Sequence, residues 1–205
     1  MEVANASDRT ICLVETTRQV EEVICGERGI IHGAKPGHIV ICMSTIDPTV
    51  AKRIASDLLL QEILMLDAPV SGGTARAQAA DLTVIAGGEK KVFDQCKDIF
   101  EAIGKDAFYI GDHGQGLVMK LINNMLGITN TITLIEGLTI GAKSGIGLQT
   151  MLYVFRKRSA ACAAVLLLVP LIFDAILNPA ALSTLYTRIK SLSQTMLNNL
   201  SLIHI

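Results

Sequence analysis

The sequence predicts an α/β protein, in which a doubly wound, mostly parallel sheet is followed by an all-helical C-terminal domain. Three observations predict it. From Thr10 to about Tyr109 short apolar runs alternate with helix-like segments, the pattern of strands joined by crossover helices. Gly26, Gly87 and Gly104 fall where such segments should stop, and Asp47-Pro48 reads as an N-cap with proline at the first helical position. Beyond Gly111 strand-like runs cease, and the sequence to Ile205 reads as helix broken by Gly145, Gly147, Pro170 and Pro179. The expected domains are therefore 1–113 and 114–205.

Taken in order, the expected strands are Ile11–Val14, Ile39–Met43, Ile63–Leu66, Leu82–Ala86 and Ala107–Ile110. Between them helices are expected at Thr17–Gly26, Pro48–Leu60 and Glu89–Ile103. A long helix then starts near Gln115, because Leu117, Val118, Leu121, Ile122, Met125 and Leu126 recur at three-to-four spacing. Its apolar stretch Leu121–Ile135, and the later Ala160–Phe173, fall short of the roughly 18 apolar residues of a membrane span. The expectation is buried helices and no membrane partner, with Leu- and Ile-rich faces at Leu121–Ile140 and Val165–Ile176 covered in a homo-oligomer.

Composition narrows the function classes. Net charge is −1 at pH 7, which gives no basic surface for nucleic acid and no acidic tail for a basic partner. Five widely spaced cysteines, without a CxxC or a Cys/His cluster, fit buried thiols in a reducing compartment and imply no metal. The first residues, MEVANASDRT, carry no targeting pattern, so a cytoplasmic location is expected, or an organellar one if the true N-terminus lies upstream.

In open α/β sheets ligands bind beyond the carboxyl ends of the strands, so the chemistry is sought in the loops there. Ser44-Thr45-Ile46-Asp47-Pro48 offers two hydroxyls and a helix N-terminus to a ribose or phosphate; the same hydroxyls can instead satisfy the helix's own first amides. Asp67-Ala68-Pro69-Val70-Ser71-Gly72-Gly73 offers amides at Gly72 and Gly73 that can converge on an anion, beside the Ser71 hydroxyl; an ordinary turn would use the same residues. Gly111–Asn124, GDHGQGLVMKLINN, puts Lys120 inside an apolar helical pattern, with Asn124 one turn on along the same face. Burial would lower the lysine's pKa toward the range a general acid/base needs, whereas a lysine near a helix start more often extends its amine into water.

In combination these segments resemble the β-hydroxyacid dehydrogenase family. MSTIDP at Met43–Pro48 resembles the family's cofactor-side loop, DAPVSGGTARAQAADLTVIAGG at Asp67–Gly88 its substrate loop, and GQGLVMKLINN at Gly114–Asn124 its catalytic helix. The resemblance begins at QVEEVICGERGIIHGAKPGHIVICMS and runs to about Gly145. It implies a partial Rossmann domain and an NAD(P)-dependent oxidoreductase that interconverts a small 3-hydroxyacid and its semialdehyde. It further implies Lys120 as general acid/base, and Asn124 as the residue that holds the substrate or orients that amine. Ser71, Gly72 and Gly73 would bind the substrate carboxylate, and Thr45 would touch NAD or NADP. Leu13, Val14 and Glu15 stand where the family often has Met-Leu-Pro, which places Val14 on the cofactor side. The family's second lysine, over the cofactor, falls at Arg188, with Lys190 as competitor.

The chain departs from the family in lacking its GxGxxG fingerprint, so weak or no cofactor binding by this polypeptide is expected. The alternative is a non-catalytic remnant that acts as an oligomerisation or interaction module. Within the wider superfamily, a 6-phosphogluconate dehydrogenase would show His-Asn where this chain has Asn123-Asn124, and imine reductases usually lack the lysine supplied by Lys120.

Overall fold

A computed structural model of the chain describes residues 1–157. The chain divides into two compact units, Met1–Leu121 and Ile122–Ile205. The first contains a six-stranded mixed sheet and the helices that cover it. Its elements run α1 (Glu2–Asn5), β1 (Arg9–Cys12), α2 (Thr17–Cys25), β2 (Ile39–Cys42), α3 (Pro48–Leu59), β3 (Leu64–Asp67), β4 (Val70–Ser71), α4 (Gly73–Gln78), β5 (Leu82–Gly88), α5 (Lys90–Gln95), α6 (Lys97–Ile103) and β6 (Gly104–Gly111). Helix α7 (Gln115–Lys143) crosses from the first unit into the second, where α8 (Leu148–Lys157) follows.

The sheet order is β1-β2-β3-β5-β4, with β6 paired to the remaining side of β5. Strands β1, β2 and β3 are parallel, joined by α2 and α3. Strand β5, expected to continue the parallel run, is antiparallel to β3 over Leu66↔Gly88 and Asp67↔Gly87. The reason is the connection. Strand β4 follows β3 after Ala68-Pro69 and continues the same antiparallel register against β5 (Val70↔Val84, Ser71↔Thr83), so β5 returns as the second arm of a hairpin whose connection contains the six-residue α4. Neither short element was expected from the sequence, nor was the break at Cys96 that divides the Glu89–Ile103 helix into α5 and α6.

The strand period of two distributes β2 to both faces, which is why all four of its residues are buried. Val40 and Cys42 pack with Val20 and Ile24 of α2, Ile54 and Leu58 of α3, and Leu117 of α7. Ile39 and Ile41 pack on the other face with Leu66, Val84, Phe93 and Phe100. Strand β1 behaves differently, since Cys12 is buried while Ile11 is 45% exposed, and Leu13 just beyond its end is 61% exposed. His38, at 3% exposure, joins β1 to β2 through Thr10 Oγ1 (2.9 Å) and the Ser7 carbonyl (3.1 Å).

Helix α7 as a whole is long and apolar enough to cross a membrane by length and composition, although Leu121–Ile135 alone falls short; 17% of its most apolar window is buried. The expected helix at Val165–Ile176, the Pro170 and Pro179 breaks, Arg188 and Lys190 lie outside the described residues.

Candidate active site

The site is built around the junction of β3 with the first turn of α7. Asp67 ends β3, hydrogen-bonded in register between Cys42 of β2 and Gly87 of β5, and is 1% exposed. Its Oδ1 accepts the Gly114 N–H at 2.7 Å and its Oδ2 accepts the Leu117 N–H at 3.1 Å. The first amides of a helix have no partner within the helix, and a buried carboxylate is costly unless hydrogen bonded. Each group satisfies the other. Burial pushes the Asp67 carboxyl above the ordinary carboxylate range, against the lowering effect of the two amides and of nearby His113.

Glycines allow this close approach. Gly114 sits at φ +85°, and a Cβ there would lie 2.8 Å from the Lys52 side chain and 3.1 Å from the Pro48 carbonyl. A Cβ on Gly116 would lie 2.6 Å from the Ile85 carbonyl oxygen and 2.7 Å from the Gly87 nitrogen, so the backbone of α7 rests directly on the sheet.

Lys120 follows Leu117 by three residues, less than one turn. It is 8% exposed, and among the described residues its amine has no ion-pair or hydrogen-bond partner. Burial therefore lowers its pKa below the ordinary lysine value. Such an amine can take up or release a proton closer to neutrality than a solvated one. Asn124 lies one turn further along α7, half-buried, in the second unit.

Ser71 lies in β4, half-buried, paired with Thr83 of β5. Gly72 (φ +142°) and Gly73 (φ +71°) follow, and α4 opens with no side-chain cap on its first amides. Backbone at these positive φ values favours glycine.

On the other side, the Ser44 hydroxyl is not available to a ligand. Its Oγ accepts the Val14 N–H and donates to the Val14 carbonyl, both at 2.7 Å, locking the ends of β1 and β2 together. Thr45, half-buried, keeps a hydroxyl with no partner among the described residues. The N-terminus of α2 is closed by its own capping box, Thr16 with Gln19. Its hydrogen bonds engage the amides of Glu15, Thr16 and Gln19. No metal-binding cluster occurs among the described residues.

A groove of about 700 Å³ adjoins this junction on the first unit, lined by Met65 of β3, Gly88 of β5, His113 and Gln115 together with Lys52 and Lys91, but by none of Lys120, Ser71 or Thr45. The sequence reading missed the Asp67 contacts, which bridge 47 and 50 residues of chain. One signal was present: α7 opens after Gly114, which has no side chain to cap it, so its first amides required a partner from elsewhere.

Comparison with known proteins bears on this geometry. The family model for the NAD binding domain of 6-phosphogluconate dehydrogenase matches residues 1–111, and that for the NAD-binding of NADP-dependent 3-hydroxyisobutyrate dehydrogenase matches residues 114–186. The chain is 36% identical over 161 residues to a probable mitochondrial 3-hydroxyisobutyrate dehydrogenase of Dictyostelium discoideum, covering 78% of this chain and 50% of the relative. It is 35% identical over 157 residues to the 2-(hydroxymethyl)glutarate dehydrogenase of Eubacterium barkeri, covering 77% and 52%. The fold is similar to that of the Mycobacterium tuberculosis 3-hydroxyisobutyrate dehydrogenase solved with L-serine, with a TM-score of 0.74 and 28% identity over 80% of this chain and 55% of that one. The chain thus spans about half the length of these curated relatives.

Proposed function

The chain belongs to the β-hydroxyacid dehydrogenase family, and from that premise we propose that it carries the substrate side of an NAD(P)-dependent oxidoreductase acting on a small 3-hydroxyacid and its semialdehyde. The observation that carries this reading is Lys120, a buried amine without a counter-charge among the described residues, on a helix whose first turn is fixed to the substrate-loop strand. The bound nicotinamide, NAD or NADP, supplies the hydride chemistry.

The chain's own residues then divide the remaining work. In the oxidising direction the neutral Lys120 amine accepts the hydroxyl proton; in the reducing direction its ammonium donates to the carbonyl oxygen. The Ser71 hydroxyl and the amides of Gly72 and Gly73 hold the substrate carboxylate, and Asn124 orients substrate or amine from the next turn. Thr45 and the Val14 segment face the cofactor; Arg188 is assigned there by sequence alone. The free thiols of Cys12, Cys25, Cys42 and Cys96 favour a reducing compartment.

The test is turnover of 3-hydroxyisobutyrate, L-serine and 2-(hydroxymethyl)glutarate with NAD⁺ and NADP⁺, preceded by titration with NADH and NADPH while nicotinamide fluorescence is followed. Saturable cofactor binding with Lys120-dependent turnover of one acid supports the proposal. Turnover of one of these acids that survives Lys120→Ala undiminished overturns it.

A further inference from the structure

We propose that Asp67 is a positioning residue for Lys120: by accepting the Gly114 and Leu117 amides, its carboxylate fixes the first turn of α7 on the sheet and so sets where the Lys120 amine stands. The assignment rests on the proposed catalytic role of Lys120.

Four observations carry it. The residue before a helix often caps it with its side chain, but Gly114 has none, and a carboxylate from a strand 47 residues upstream takes its amide instead. Asp67 is itself held in the sheet by pairing to both β2 and β5, so the acceptor cannot drift. Gly87 and Gly116 bring the two backbones so close that a Cβ on Gly87 would lie 2.8 Å from the Gly116 nitrogen and 2.9 Å from Asp67 Oδ1. Finally, Leu117 is the third residue of α7, and Lys120 follows about 4.5 Å along the helix axis at 1.5 Å per residue. A shift of the clamped turn is therefore passed almost undiminished to the lysine.

An aspartate kept only for stability is a poor explanation. Burial raises its pKa, so holding it ionised at neutral pH works against folding, and the arrangement is maintained at some expense. What the ionised group supplies is two acceptors in a fixed geometry, which an apolar residue cannot provide.

The experiment is Asp67→Asn with three readouts. In turnover assays kcat falls by about 100-fold, the scale expected of a displacement near 1 Å, while KM changes little. Independently of activity, the ¹³Cε resonance of Lys120 is titrated in wild type and variant. A released first turn lets water reach the amine, so the Lys120 pKa moves up toward the ordinary lysine value. A purely structural aspartate would leave it where it is, and an unchanged or lowered pKa overturns the proposal. If wild type shows no turnover, the titration still decides the positional reading. Should the variant not fold, hydrogen exchange on wild type replaces it. The Leu117 amide should exchange as slowly as amides bonded within α7, and exchange at the rate of an unbonded first-turn amide overturns the clamp.

Discussion

Two junctions at the carboxyl ends of the strands use the same device with different chemistry. At the β1–β2 end, the Ser44 hydroxyl both accepts from and donates to Val14, closing a neutral bridge between neighbouring strands. At the β3 end, the Asp67 carboxylate accepts twice from the opening turn of α7. A hydroxyl can satisfy one donor and one acceptor, whereas an ionised carboxylate only accepts and so suits helix amides. The neutral bridge joins two strands, while the charged one holds the element that carries Lys120. The difference teaches that stability and site geometry are maintained by separate contacts, which substitutions should separate.

The largest expected effect is at Lys120. Lys120→Ala should lower turnover by about 10²–10⁴-fold, the usual contribution of a positioned general acid/base, measured as kcat at neutral pH. Lys120→Met should lose activity similarly yet melt higher. Its pKa is depressed in the folded state, so its favourable contribution exists only above the unfolded value and is lost as pH falls through the folded one. At neutral pH the charge is a net cost, and removing it should stabilise by on the order of 1 kcal/mol, read from thermal melts.

Gly116→Ala should come next, because its Cβ meets backbone atoms of Ile85 and Gly87 that cannot swing aside. A loss of about 1–3 kcal/mol is expected by chemical denaturation, with kcat reduced in the remaining folded protein. Ser44→Ala leaves the Val14 amide and carbonyl without their partner, a cost of about 1–3 kcal/mol. It should leave the Lys120 titration unchanged, and a shifted Lys120 would break the distinction between the two junctions. The smallest effect should come from His38, whose pKa burial lowers. Its contribution is present above the unfolded value of 6.5 and is lost as pH falls through the folded one. Stability should therefore decline as pH falls below 6.5, and His38→Gln should flatten that decline.

Much of this was legible in the sequence where local physics decides. Strand β2 could be read because four consecutive apolar residues are those of a strand buried on both faces, and α3 because Asp47 caps it, accepting the Thr49 N–H, with Pro48 at its first position. Lys120 stood out as a charge inside an apolar helical pattern. The direction of β5 was not legible, because it is set by its pairing with the two-residue β4, an element too short to leave a pattern in the sequence, rather than by β5's own residues. Ser44 read as a ligand hydroxyl or as a partner for the first amides of α3, and is engaged instead with Val14, 30 residues away. Asp67 read as a loop residue for the same reason. Long-range hydrogen bonds leave only an indirect trace, such as the missing cap at Gly114.

The most direct test of the account is the pKa of Lys120 itself, followed through its ¹³Cε resonance in the wild-type protein. The account predicts a midpoint below 10.5, the ordinary value, because the amine is buried without a neighbouring carboxylate. A midpoint at or above that value would mean that the amine is solvated or paired, and would contradict its proposed role as the proton carrier.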